Sequence, residues 1–387
     1  MHDIVQRIDA ATPADRDRAI DALRAVAILG VVLGHWTVTA LVADSGTLHG
    51  ASPLHYMPRF TPVSWVLQTL ALFFLVGGHV GAKSCAAARA RGETYGQWLR
   101  ARMIRLLRPV VAVSAVWTAT ACAMLVAGVD QDTVRALCKL VWSPLWFVAV
   151  FAALTAATPL VAKLHPLWPF AVVLITDLYR FGLHTPGAFA AVNVAAGWLV
   201  PYCLGAAWSR GELNIRRTGW TLLLGGAAAT VALVLLAGYP AAMVGVPGGE
   251  ISNLDPPTLA VVTFGLAQCG AALLLLGPLR RVLRRPAVWA AVAAVNLSAM
   301  TIFLWHQTAM IAVTVTGLLV GGTLPGLHTV PDTPGWVLAR LAWLSAFSVA
   351  LLICWAAFRG YEQGRRRGGS TVVGGGRPTR QATTRRP

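Results

Sequence analysis

The feature that most limits what this chain can become is a ladder of long apolar runs, each followed by a short polar segment. The runs fall at residues 20–43, 61–82, 109–128, 143–162, 167–178, 187–208, 219–238, 257–277, 297–320 and 335–358. Most hold ~20 residues, enough to cross a hydrocarbon core about 30 Å thick at 1.5 Å per residue. In that core each backbone N–H and C=O must be satisfied within its own segment, which selects helices. A helical protein in water would need a polar face on each helix, and these runs have none. Only 12% of the 387 residues are charged, about half the usual share of a soluble domain. The expected fold is an all-α integral membrane protein with about ten transmembrane helices. The fifth run, 167–178, is short, so it tilts with its neighbour or crosses only in part. Residues 286–295, just before the ninth run, read as a short helix at the interface.

Charge orients the ladder. With the N-terminus in the cytoplasm, 27 of the 32 Lys and Arg fall on the inner side. The remaining five, Arg59, Arg135, Lys139, Arg180 and Arg340, fall outside. Miscounting one early span would move every later loop to the wrong side, so the predicted topology is N-in and C-in. The same placement argues against a nucleic-acid partner despite a net charge of +17. The basic residues sit in loops between spans and not on a folded soluble face. The bilayer is the expected partner, and the inner or plasma membrane the expected site of this multi-pass chain. The six cysteines are scattered with no CxxC and read as small apolar fillers. Residues 1–17 read as a cytoplasmic N-terminal segment without the pattern of a cleavable signal. Residues 18–360 form the transmembrane domain, and 361–387, rich in Gly and Arg, read as a disordered basic cytoplasmic tail.

Ionisable groups in oil are costly, so each one is a functional candidate. In the first span Arg24 sits at the inner edge and His35 lies about 16 Å further along the helix. That places the imidazole near mid-bilayer, where a neutral ring hydrogen-bonded between helices is the plain structural alternative. Asp21 is expected to pair with Arg24 at i,i+3. His306, in NLSAMTIFLWHQTAM, reaches a similar depth, with Asn296, Ser298, Thr301 and Gln307 as polar neighbours. Two histidines at one depth suggest a shared polar pocket. No third ligand of suitable spacing appears, so no metal site is expected. Below them, RARMIRLLRP carries Arg102, Arg105 and Arg108 every three residues as one ridge. Positive-inside anchoring explains some arginines there, while their density matches a site for phosphate oxygens. His79, after the paired glycines of FFLVGGHVGAK, lies near the same face. Those glycines allow a helix or a ligand to approach closely.

In this order and spacing the segments resemble the acyltransferase 3 family, bacterial membrane acyltransferases of about ten spans. The segments are D-x-L-R-A-x-A-I from Asp21 to Ile28 followed by His35, FFLVGG from Phe73 to Gly78, and R-x-x-R at Arg102 and Arg105. LWF from Leu145 to Phe147, TPL from Thr158 to Leu160, and FLWH from Phe303 to His306 complete them. The resemblance covers residues 18–360. It implies transfer of an acyl group, often acetyl, from acyl-CoA to a hydroxyl of a sugar, lipid or secondary metabolite. It makes His35 the catalytic histidine with Arg24 as its companion, and Arg102 and Arg105 the functional arginine pair. Arg108 falls just outside the match, and His79 departs from the aromatic residue that often follows the glycines. No bound cofactor is expected, with acyl-CoA acting as co-substrate. A neutral His35 would serve as general base, with His306 or a donor near it facing the oxyanion. The rival reading is a transporter or exporter with the histidines as proton relays, but no internal repeat of the kind many transporters carry is visible.

Overall fold

The computed structural model describes residues 2–182, 187–247 and 251–363. A short helix α1 (His2–Ala10) precedes α2 (Arg18–Val38), the hairpin β1 (Ala40–Asp44) and β2 (Thr47–Ala51), and two single turns, α3 (Pro53–Tyr56) and α4 (Thr61–Ser64). Then come α5 (Leu70–Ala90), α6 (Tyr95–Val126), α7 (Gln131–Trp142), α8 (Leu145–Ala156), the turn α9 (Thr158–Val161) and α10 (Leu167–Asp177). The chain finishes with α11 (Val192–Ser209), α12 (Ile215–Leu236), α13 (Leu259–Val282), α14 (Pro286–Leu297), α15 (Ala299–Gly321) and α16 (Pro334–Gln363).

Among the described residues, 9 helical segments are long and apolar enough to cross a membrane. The short α10, of 11 residues, joins the bundle beside them. It starts after Lys163 on the inner side, and Asp177 at its far end accepts the Leu259 N–H at the outer start of α13, at 2.6 Å. The two ends of the bundle are tied at the opposite face. Asp17 caps the start of α2 by accepting the Ala19 N–H, and it pairs with Arg280 at the end of α13 (2.5 Å). Asn296 Nδ2 donates to Asp21 O (2.7 Å). The start of α2 and the ends of α13 and α14 therefore lie on the same, arginine-rich face, in keeping with the N-in reading. Outside the bundle, Val126, Leu236 and Val320 are 90%, 86% and 84% exposed. Side chains this apolar and this open face lipid tails.

Helix contacts depend on small residues. In α5, a Cβ on Gly78 would sit 1.9 Å from Tyr202 O of α11, and one on Gly205 would sit 1.9 Å from Leu75 O. The paired glycines of FFLVGG thus admit a neighbouring helix, one of the two occupants that the sequence leaves open. The same device joins α12 to α13, where Gly226 lies against Thr263 O and Ala267 N and Gly270 against Gly219 O. Such close backbone approach replaces the hydrophobic drive that lipid removes.

Three features depart from the sequence reading. The first span ends at Val38, because apolar Ala40–Ala43 belongs to a hairpin folded over the outer end. Its turn, Ser45 and Gly46, has φ of 49° and 83°, the positive pair that a two-residue hairpin loop requires. Arg340, expected among the outer-loop charges, is 1% exposed inside the bundle. Its Nε donates to Trp36 O (2.6 Å), its Nη2 to Thr39 O (2.6 Å) and its Nη1 to Gly326 O (2.9 Å). The carbonyl end of α2, negative by its dipole, takes the place of a carboxylate partner. Finally, α16 runs through Gln363, past the expected tail boundary at 361, and residues 364–387 of that tail lie outside the described residues.

The glycine contacts make a signed prediction. Gly205→Ala forces a methyl group into Leu75 O and should cost about 1–3 kcal/mol. Gly225→Ala, in the interior of α12 with nothing within 4 Å of the added atom, should be neutral or stabilise by up to ~1 kcal/mol. Thermal melting of both purified variants in detergent checks the pair, and equal melting points would contradict the packing.

Candidate active site

The structure brings His35 and His306 together. His35 lies in the last turn of α2 and His306 is eighth along α15. Their ring centroids are 5.1 Å apart and the planes are tilted by 45°. The hairpin shortens α2, so His35 lies near the end of its own helix, level with the eighth residue of the 23-residue α15. His306 is fully buried, while His35 is half-buried. Trp36 Nε1 donates to His306 O (2.9 Å), which stitches α2 to α15 at the level of the two rings.

Hydrogen bonds assign the tautomer of one ring. His306 Nδ1 lies 2.5 Å from Phe303 O. A carbonyl oxygen only accepts, so Nδ1 carries the proton, and in the neutral ring Nε2 holds a lone pair. In this tautomer a neutral His306 offers an acceptor at Nε2. Among the described residues Nε2 has no partner, nor do Gln307 Oε1 and the nearby wall's Trp198 Nε1. Buried polar atoms are nearly always paired, and two of these three, His306 Nε2 and Gln307 Oε1, belong to adjacent residues of α15. The third polar member is Gln307, 2% exposed, whose Nε2 lies 3.1 Å from His35 Nδ1.

An aromatic wall flanks His306, and it is built from separate motif segments. Phe303 lies 6.0 Å from the His306 ring and 5.3 Å from Phe147, which in turn lies 4.8 Å from Phe73. Phe74 stacks on Trp198 at 5.0 Å, and Trp146 tilts against the same indole at 6.0 Å. FFLVGG, LWF and FLWH are distant in sequence yet meet on one surface. Thr158 of TPL shares a 2.7 Å hydrogen bond with Tyr202 Oη, beside Gly81. Of the other polar neighbours expected around His306, Thr301 and Ser298 serve as fasteners. Glu362 accepts from Thr301 N–H (2.9 Å), Thr301 Oγ1 (2.6 Å) and Met300 N–H (3.1 Å), and Ser298 Oγ accepts from Trp355 Nε1 (2.5 Å).

The cationic part lies toward the inner face. Arg24, Arg102 and Arg105 interact electrostatically with one another. Asp21 ion-pairs with Arg16 at 2.7 Å, outside the span, and not with Arg24 as expected. Among the described residues neither Arg102 nor Arg105 has a carboxylate within ion-pair distance. Arg108 is exposed on the same ridge and makes no recorded ion pair there. The ridge is part of α6, which starts at a Thr94–Gln97 capping box and carries Pro109 inside it. Beside the ridge is a hollow of about 310 Å³ lined by Arg89, Tyr95, Trp98 and Pro159 among others, with Arg102 lying over Trp98 at 5.9 Å. His79 belongs to neither group. Its ring packs 4.1 Å from Trp208 and interacts electrostatically with Asp17 and Lys83 near the inner face.

Outside the membrane, the Asp17 carboxyl titrates below the ordinary carboxylate range. Burial pushes it up, but hydrogen bonds from Arg280 and the Ala19 N–H outweigh that. The tie between α2 and α13 is thus present at neutral pH and lost only in acid, as pH falls through the lowered value.

A search of curated proteins and a search of solved structures each returned no match. The family model described as an acyltransferase domain matches residues 17–359, nearly the whole chain. That span contains the histidine pair, the aromatic wall and the arginine ridge, and the protein therefore belongs to the acyltransferase 3 family of membrane acyltransferases.

Proposed function

We propose that the chain transfers an acyl group from acyl-CoA, bound from the inner face, to a hydroxyl of a sugar, lipid or secondary metabolite. The observation that carries this reading is the vertical arrangement of the two sites. Guanidinium groups without carboxylate partners lie at the inner end of the bundle, and two contacting imidazoles lie higher, with Arg24 and His35 on the same helix. The eleven-residue step from Arg24 to His35 spans about 16 Å, a distance suited to an extended thiol-bearing arm.

Arg102 and Arg105, with Arg24 above them, hold the phosphates of the donor, since planar guanidinium forks match phosphate oxygens. The exposed Arg108 and Arg89 extend the same positive field toward incoming polyanions. His35 Nε2 takes the proton of the acceptor hydroxyl as its oxygen attacks the thioester carbonyl. The new C–O bond forms, the C–S bond breaks, and the thiolate leaves with the proton returned from His35. His306 Nε2, a buried acceptor beside His35, takes a hydrogen bond from a second polar O–H or N–H of the acceptor molecule and so positions the reacting hydroxyl. The aromatic wall keeps water from the reacting carbonyl, which strengthens each polar contact inside.

Two outcomes are expected. His35→Ala, produced at normal level, should lose about 10²–10⁴ in rate, read as disappearance of an acylated product from lipid and metabolite extracts of producing cells. Full retention of that product would remove the mechanism. Arg102→Ala and Arg105→Ala should each raise KM for acyl-CoA about 10–100-fold, the loss of one charge-assisted hydrogen bond, with acceptor KM little changed. The reverse pattern, acceptor KM raised and donor KM untouched, would move the phosphates elsewhere.

A further inference from the structure

Among the described residues Gln307 is the side chain hydrogen-bonded to the His35 ring, and the chemistry above dictates which end of its amide must face that ring. An amide presents oxygen and nitrogen at nearly equivalent positions, and a half-turn about its last torsion exchanges them without moving the rest of the side chain. As placed, the nitrogen lies 3.1 Å from His35 Nδ1 and Oε1 is buried without a partner. An N–H aimed at Nδ1 requires a lone pair there. The His35 proton would then reside on Nε2, the atom that must receive the proton of the acceptor.

A general base acting through Nε2 has the opposite need. Before transfer Nδ1 bears the proton, and after transfer both nitrogens bear one. An acceptor must therefore face Nδ1 throughout, and Gln307, whose amide end lies 3.1 Å from that atom, supplies one through its oxygen.

We infer that Gln307 is a positioning residue. Its Oε1 accepts from His35 Nδ1–H and so holds His35 in the single tautomer whose Nε2 is free to take a proton. The inference rests on the reading of His35 as the base. It assigns to a neutral amide the orienting task that carboxylates perform in other hydrolases and transferases, where a wrong tautomer alone costs about 10⁴ in rate. A neutral partner suits a site flanked by apolar rings, because it orients the imidazole without adding a buried negative charge.

The direct test is ¹⁵N solid-state NMR of the histidine-labelled protein in lipid vesicles, with the His35 signals identified by their loss in His35→Ala. The expected spectrum has a protonated Nδ1 and an unprotonated Nε2 for His35, and Gln307→Leu should replace this single tautomer by a mixture. A wild-type ring protonated on Nε2, or an unchanged tautomer in Gln307→Leu, would overturn the inference while leaving the histidine's part in catalysis standing. Rates of acyl transfer give the second arm. Gln307→Leu should lower kcat about 10²-fold or more with KM for acetyl-CoA within about threefold, and Gln307→Glu, an acceptor only, should recover most of that loss. A Gln307→Glu protein that folds, by its melting point, yet is as inactive as Gln307→Leu would show that donation, and not acceptance, is what the ring needs. If Gln307→Glu does not fold, the spectra of the wild type and Gln307→Leu decide.

Discussion

A charge held in oil needs a partner of opposite sign, and in this bundle the ends of helices supply it. Arg340 takes the carbonyl end of α2, Glu362 takes the amide end of α15, and Asp177 takes the amide end of α13. Each contact satisfies backbone groups that a helix terminus leaves open and aligns a charge with the dipole at that end. The first two come from one element. Near its start α16 grips the helix that carries His35, and in its last turn it grips the helix that carries His306. The 5.1 Å approach of the two rings is thus held by one long brace, at the outer end of one site helix and the inner end of the other.

The remaining interior is built to let backbones close on one another. Glycines at 78 and 205 remove the Cβ atoms that would hold α5 and α11 apart. With these helices in contact, Phe73, Phe74, Phe147, Trp198 and Phe303 form one continuous wall beside His306. Rings of this kind gain from edge and offset contacts beyond their buried area, and they also make the site dry. A dry site with few polar groups gives each of those groups a large influence, which is why the orientation of a single amide matters.

Much of this was legible in the chain because bilayers impose simple rules. Run length was sufficient for the spans, and 9 helical segments long and apolar enough to cross a membrane stand among the described residues, with the short run at 167–178 folding as an 11-residue helix. The pairing of His35 with His306 was readable because an imidazole in an apolar run is rare enough to stand out. What stayed hidden depends on tertiary contact. Arg340 looked like an ordinary loop charge, since nothing in its neighbours shows that three carbonyls from two other segments converge on it. The apolar Ala40–Ala43 reads as helix until Ser45 and Gly46 turn it back as a strand. Asp21 was matched with Arg24 by helical spacing, whereas Arg16, preceding the helix, reaches back to it with better geometry. Gln307 was visible as a polar neighbour of His306, but its bond to His35 crosses 272 positions of sequence.

The brace also has a place in time. About 300 residues separate the end of α2 from the start of α16, which at roughly 5–20 residues per second of synthesis is about 15–60 s. Throughout that interval α2 is inserted but its outer end lacks Arg340, and α15, once made, lacks Glu362. Until the final span arrives, the two imidazoles are joined only by direct contact between their helices, such as the Trp36 to His306 hydrogen bond. A nascent chain that has reached α15 therefore holds the histidine pair without the clamp at either helix end.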